Sequence, residues 1–192
     1  ETGQRLQVSL ILSPRQLADI QLLKTLGDAL EAANVEAWQL CLEFTQAALA
    51  QDDDFTIETL RTLKSLGITL AVDDVWTARS ALSRMERLPL DLLKIDRSFV
   101  TGLAQDPRKR RLVAAVIGLA DALDLPVIAE GVENAEEITQ LRALGCTAAQ
   151  GYHLGSPRGD QPVTELAAED NLSLAPTAPP PEPDATRSTS GT

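Results

Sequence analysis

Glu43, Asp73, Asp74, Lys94, Glu130 and Gln150 are the residues whose types and placement could carry chemistry in this chain. Each stands at the end of a short run of β-favouring, mostly apolar residues. The clearest is Ile68-Thr-Leu-Ala-Val-Asp-Asp74, where five uncharged residues run into two adjacent carboxylates. Carboxylates gathered from several strands are the oxygen donors that hard divalent cations take. Simpler roles stand beside these. Asp73 and Asp74 also suit a cap on the following helix, Lys94 a charge partner for the acids, and Gln150 a polar group satisfied locally.

The elements that must position these groups alternate along the chain. A strand-like stretch covers Arg5 to Leu12, and Ser13-Pro14-Arg15-Gln16 reads as a capped helix start. The spacing of Leu17, Ile20, Leu23, Leu26 and Leu30 predicts one helix continuing to about Ala33 with these residues on a single face. A strand is expected from Trp38 to Phe44. A helix follows from about Thr56 to Ser65, stopped at Gly67, then the Ile68–Asp73 strand and a helix near Ala78–Arg87. Leu88 to Asp96 holds a short strand, Asp106 to Leu123 a long helix opened by Pro107, and Pro126 to Ala129 a strand. Asn134 caps a helix that Gly145 ends. Cys146 to Ala149 forms a last strand, and a short helix is expected over Gln161 to Ala168.

Six strands fit either an open doubly wound sheet or part of a closed barrel. Five polar residues, Glu43, Asp73, Lys94, Glu130 and Gln150, each end a different strand and so converge on one carboxyl-end face. An open sheet gathers its site at one switch point, whereas a barrel draws on many strands. The barrel is favoured: an α/β fold, a (β/α)8 TIM-like barrel with about two amino-terminal units lying outside this chain. The parallel edges left at the strands near Leu12 and Ala149 would then invite association.

With 192 residues, 44% of them hydrophobic, the chain can build one domain with a sizeable core. Its net charge of −11 argues against nucleic acid or an acidic membrane as partner. A phosphate ligand would need local compensation, most simply a divalent metal. The basic run Arg108-Lys109-Arg110-Arg111 reads as a solvated helix face. Cys41 and Cys146 lie in apolar segments and read as reduced core residues of a cytoplasmic protein. No run is long enough to span a bilayer and no signal peptide is visible. The chain begins with Glu1, which suggests a piece of something longer. The domain is placed at residues 1–170; the Pro/Ser/Thr-rich stretch 171–192 can bury almost nothing and reads as a disordered tail.

Ala71-Val72-Asp73-Asp74, Leu93-Lys94-Ile95-Asp96-Arg97-Ser98-Phe99-Val100, Ala129-Glu130-Gly131-Val132-Glu133 and Gln150-Gly151-Tyr152 closely resemble motifs of the EAL domain family. Members of that family are bacterial phosphodiesterases of cyclic di-GMP, and the likeness runs from about Leu6 to Leu166. It implies a (β/α)8 barrel that uses Mg²⁺ or Mn²⁺ to open the cyclic dinucleotide to the linear one. It further implies Glu43, Asp73, Asp74 and Glu130 as metal ligands, and Lys94 against the phosphate or the attacking water. Glu130 would bind metal or serve as base, Gln150 would orient water or ligand, and Asp96, Gln150 and Pro157 would touch the substrate. An upstream sensor or signalling domain and a homodimer are the partners it suggests.

Departures from the family pattern bear on activity. The Glu of the Glu-Ala-Leu signature is not in this chain, and the Asn of the Val-Asn-Leu-Ser segment is replaced by Ile11, which has no oxygen to give. Gln46 stands where the family has a second acid. In the loop after Asp74, Trp76 and Ala78 replace two glycines and curtail backbone freedom. Two readings follow: a cyclic di-GMP phosphodiesterase of weak or lost activity, or an inactive domain that binds the nucleotide or a partner protein. Ile11 and the altered loop favour the second; the retained acids, Lys94 and Gln150 favour the first.

Overall fold

The computed structural model describes residues 6–45, 48, 54–73 and 85–155. The fold is α/β, and its centre is one sheet of six strands. These are β1 (Val8–Leu12), β2 (Leu40–Thr45), β3 (Thr69–Asp73), β4 (Leu92–Ile95), β5 (Val127–Ala129) and β6 (Ala148–Ala149). All neighbours pair parallel, and the spatial order is β1-β2-β3-β4-β5-β6. Every step moves to the next strand in the same direction. A doubly wound sheet reverses direction at its switch point; this sheet does not, so the strands form an arc of a TIM-like barrel.

Side chains alternate across each strand, and the two faces bury different sets. Leu42, Phe44, Leu70, Val72, Leu93, Ile95, Val127 and Ala129 face the helices, where they pack with Leu60, Leu63, Val113, Val116, Ile117 and Leu141. The alternate positions Cys41, Ala71 and Leu92, with Ile128 partly buried against them, form a separate inner cluster. Burial on both sides is why the strands read as unbroken apolar runs. The next inward position on each of those strands, two residues further on, is Glu43, Asp73, Lys94 or Glu130. The polar groups therefore share one face and one end by register alone.

The helices are α1 (Pro14–Leu17), α2 (Leu22–Ala33), α3 (Asp54–Ser65), α4 (Arg97–Val100), α5 (Pro107–Ala122) and α6 (Ala135–Ala143). The cap signals at Ser13 and Asn134 act as read from the sequence, and Asp106 adds a cap beyond those expected. Ser13 and Gln16 form a reciprocal capping box, Asp106 caps α5 through the Arg108 and Lys109 amides, and Asn134 caps α6 through the Glu137 amide. Beyond α3 the chain turns at Gly67 in the left-handed conformation, φ 91°.

Three expectations need correction. The single helix from Pro14 to Ala33 is two, because Asp19 accepts a bond from the Gln21 amide (2.9 Å) and its carbonyl accepts from the Leu22 amide (3.0 Å). This local turn competes with helix continuation. Ile20, assigned to the apolar face, is consequently 82% exposed. Trp38 lies in a 3-10 turn, Ala37–Gln39, and not in β2. Nor is the basic run wholly a solvated face. Lys109 Nζ donates to the Ser98 and Thr101 carbonyls (2.7 and 2.6 Å), and Arg110 donates to the Ala104 carbonyl (2.6 Å). The expected helices near Ala78–Arg87 and Gln161–Ala168, the substituted loop and Gln46, and the tail lie wholly or largely outside the described residues.

Among the described residues β1 and β6 each have one unpaired edge, and on β1 Val8, Leu10 and Ile11 are exposed. Cys41 and Cys146 are free thiols. Burial pushes the Cys41 thiol up to about 11 and raises that of Cys146, which leaves both unreactive at neutral pH.

The split helix and the helix-facing core give contrasting mutational expectations. Phe44→Ala, at a fully buried position, should lower unfolding free energy by about 3–5 kcal/mol in a urea titration. Ile20→Ala should change it by no more than about 0.5 kcal/mol. A loss at Ile20 of the size expected for a core isoleucine would contradict the break after α1.

Candidate functional site

At the carboxyl end of the sheet, Lys94 on β4 extends its ammonium between two carboxylates. Its Nζ lies 2.7 Å from Glu43 Oε1 and is also paired with Glu130 Oε1. Glu43 and Lys94 are each only 3% exposed. Glu130 in turn accepts from Gln150 Nε2 at 3.3 Å. These four residues come from β2, β4 and the turns after β5 and β6. β2 and β4 are separated by β3, a span of roughly 9–10 Å in any sheet. Long side chains reaching across a concave inner face bridge it.

The backbone around the rim is held by the ladder running past the strand ends. The Glu130 amide donates to the Ile95 carbonyl (2.9 Å) and the Gln150 amide to the Ala129 carbonyl (2.8 Å). The Val132 amide then donates to the Gln150 carbonyl (3.1 Å). Gly151 lets these turns come together: a Cβ there would stand 2.2 Å from the Val132 nitrogen. The Glu130 and Gln150 turns are thus fastened to each other by main chain as well as by side chain.

Burial of the Lys94 ammonium is the largest influence on its acidity and pulls its pKa down. The hydrogen bonds and charges of Glu130 and Glu43 together outweigh it, so the pKa is raised above the ordinary lysine value. Lys94 therefore stays protonated at neutral pH, a fixed cation at the rim.

The other expected site residues fall differently. Asp73 ends β3, half-buried and in register with Thr45. Asp96 caps α4: its carboxylate accepts from the Ser98 amide at 2.8 Å. Ser98, foremost among its hydrogen-bond donors, holds it below the usual carboxylate range. Asp74 and Pro157 lie outside the described residues. Ile11 is in register with Glu43 on the neighbouring strand and is 65% exposed, so an apolar side chain occupies the rim position beside that acid. Among the described residues no three His, Cys, Asp or Glu side chains stand together as a metal-holding group. Glu43 and Glu130 are the right donor type for a hard cation, but the described set does not amount to a site.

Sequence reasoning missed Arg97, Glu133 and Glu137. Arg97 pairs with Glu133 at 2.6 Å, and Glu137, 1% exposed, accepts from two loops. Nothing in the sequence separates Glu137 from an ordinary acidic residue in a first helical turn, which is how it reads.

Removing the central cation tests the cluster. Lys94→Met leaves Glu43 and Glu130 without their shared partner and should lower stability at neutral pH by about 3–5 kcal/mol in urea unfolding. The raised Lys94 pKa sets the pH window. Its contribution is complete below the unfolded lysine value and is lost as pH rises through the higher folded one. Wild-type stability should show that alkaline decline and Lys94→Met should lack it. Identical alkaline limbs would refute the assignment.

Comparison with known proteins places this geometry. The sequence profile described as EAL domain matches residues 1–157. The chain is 38% identical over 154 residues to the cyclic di-GMP phosphodiesterase NbdA of Pseudomonas aeruginosa, covering 80% of this chain and 20% of that protein. It superposes on the PaMucR phosphodiesterase, solved as a c-di-GMP complex, with a TM-score of 0.75 and 34% identity, covering 83% of this chain and 64% of the other. It also superposes on Klebsiella pneumoniae BlrP1, solved as a manganese/cy-diGMP complex, with a TM-score of 0.69 and 30% identity over 77% of this chain and 38% of that one. The chain spans about a fifth of the length of the curated relatives it matches. No helix among the described residues is long and apolar enough to cross a membrane. A profile matched over most of the sequence, joined to a barrel arc with its acids and lysine at one rim, shows that the chain belongs to the EAL domain family.

Proposed function

We propose that this chain recognises cyclic di-GMP at the rim formed by Glu43, Lys94, Glu130 and Gln150, and that it hydrolyses the nucleotide weakly or not at all. One observation carries the reading. The phosphate-side groups are assembled, with Lys94 held protonated by Glu43 and Glu130, while Ile11 stands in register beside Glu43 with no oxygen to contribute. A fixed ammonium suits a phosphodiester oxygen. Glu130, tied to Gln150, is the group placed to take a proton or to ligate metal, and Gln150 orients water or ligand. Asp96 and Pro157 are assigned to the nucleotide side of the site.

Mg²⁺ or Mn²⁺ is the cation this reading assigns, with Glu43, Asp73, Asp74 and Glu130 as its holders. When bound it would neutralise phosphate charge and lower the pKa of a water. The described donors fall short of a full set, so no step is routed through it. Relatives solved with manganese or calcium beside cy-diGMP support the choice of a divalent cation. On this reading the domain extends to residue 170 with 171–192 as a tail. It works in the cytoplasm under an upstream sensor or signalling domain and is able to pair with a second copy. The alternative of a module that only contacts other proteins gains support if neither nucleotide nor metal binds.

Calorimetry with cyclic di-GMP, with and without Mn²⁺, should detect binding, and chromatography should show little or no linear dinucleotide. Robust turnover abolished by Asp73→Asn would overturn the weak-or-absent assignment. Absence of nucleotide binding in either condition would overturn recognition. Ile11→Asn places an oxygen donor beside Glu43 and should tighten Mn²⁺ binding about tenfold, the equivalent of one modest added contact. Unchanged affinity would show that Ile11 is not the missing position.

A further inference from the structure

Glu137 is a buried carboxylate that the rim chemistry leaves unused. It sits in the first turn of α6 at 1% exposure, and its two oxygens accept from two different loops. Oε2 takes the Glu133 amide and Oε1 the Gly102 amide, both at 2.9 Å. Neither donor belongs to α6, and capping of that helix is already done by Asn134, which accepts from the Glu137 amide. One oxygen thus reaches back to the residue just ahead of the cap, much as in a capping box, while the other leaves the helix start for Gly102. The side chain joins the segment that follows Lys94, through α4 to Gly102, to the segment that follows Glu130.

Another side-chain link between those segments, Arg97 with Glu133, has side chains 59% and 38% exposed and is of the kind that contributes little. An acceptor this deeply buried is different. Its loss strands two backbone donors in a half-buried setting, where an unpaired amide is costly. Glu133 lies three residues beyond Glu130, and between them the Val132 amide is bonded to the Gln150 carbonyl. A shift of Glu133 therefore moves the turn that carries Glu130, and with it the Gln150 turn fastened to it through Val132.

We infer that Glu137 is a positioning residue. By clamping the Glu133 and Gly102 amides it fixes Glu130 and Gln150 against Lys94, and so sets affinity for the phosphodiester ligand. This rests on the reading given under Proposed function.

The test uses the whole chain, with cyclic di-GMP affinity by calorimetry, amide exchange at Gly102 and Glu133 by NMR, and thermal stability. Glu137→Ala should expose both amides to exchange and weaken affinity about tenfold or more, the equivalent of roughly one lost hydrogen bond. Glu137→Gln keeps one carbonyl oxygen and should restore protection at one amide and part of the affinity. Ile138→Ala, next along α6 and packed against the core, should lower the melting temperature while leaving affinity unchanged. Wild-type affinity in Glu137→Ala, or affinity falling in Ile138→Ala in step with its melting temperature, overturns the proposal. Should Glu137→Ala fail to fold, Glu137→Gln decides: both amides protected and affinity unchanged would overturn it. A wild-type chain that binds no nucleotide would sink the recognition reading and with it the affinity claim. Equal binding by wild type and Glu137→Ala would sink the clamp alone.

Discussion

A buried ammonium shared by two carboxylates is the contact on which the rim of this barrel arc depends. Lys94 sits where water is nearly excluded, and an unpaired charge there would be strongly destabilising. Glu43 and Glu130 make its burial tolerable, and Lys94 does the same for them. The arrangement draws on β2, β4 and the end of β5, so it exists only while those strands keep their order and curvature. The cluster therefore couples the chemistry of the rim to the curvature of the sheet.

The scaffold serves this contact through a division between two faces. The helix-facing side is a continuous apolar core, while the inner side carries a thin layer of Cys41, Ala71 and Leu92 beneath the polar ends. That layer supplies an apolar floor, which strengthens the electrostatics above it by lowering the local dielectric. Because parity along each strand is fixed, a slip of one residue would carry Glu43 or Lys94 into the helix-facing core. Register and charge placement thus enforce one another.

The proposed function rests on what the rim keeps and what it lacks. The retained ammonium, glutamates and glutamine favour recognition of a phosphodiester. Ile11 beside Glu43 removes an oxygen at the place where the family's pattern supplies one, and a divalent ion is sensitive to the count of its donors. Binding depends on the sum of many contacts, whereas turnover needs charge neutralised at one point in the transition state. A domain can lose the second and keep the first.

Much of this was legible from local pattern. The six strands, the caps at Ser13 and Asn134, the stop at Gly67 and the convergence of Glu43, Lys94, Glu130 and Gln150 on one edge all follow from short-range signals. Period, capping chemistry and the parallel habit of β/α units are properties of a few neighbouring residues. Asp19 shows the limit of that reasoning, since its side chain ended a helix whose apolar spacing ran on through Ile20. The sequence by itself determined which residue types reach the carboxyl edge. Only the tertiary structure decided that Lys94 lies between Glu43 and Glu130, and that Glu137 is bonded to the Gly102 loop 35 residues away. Those contacts depend on strand order and sheet curvature, which bring distant segments together and leave no trace in the spacing of any one of them.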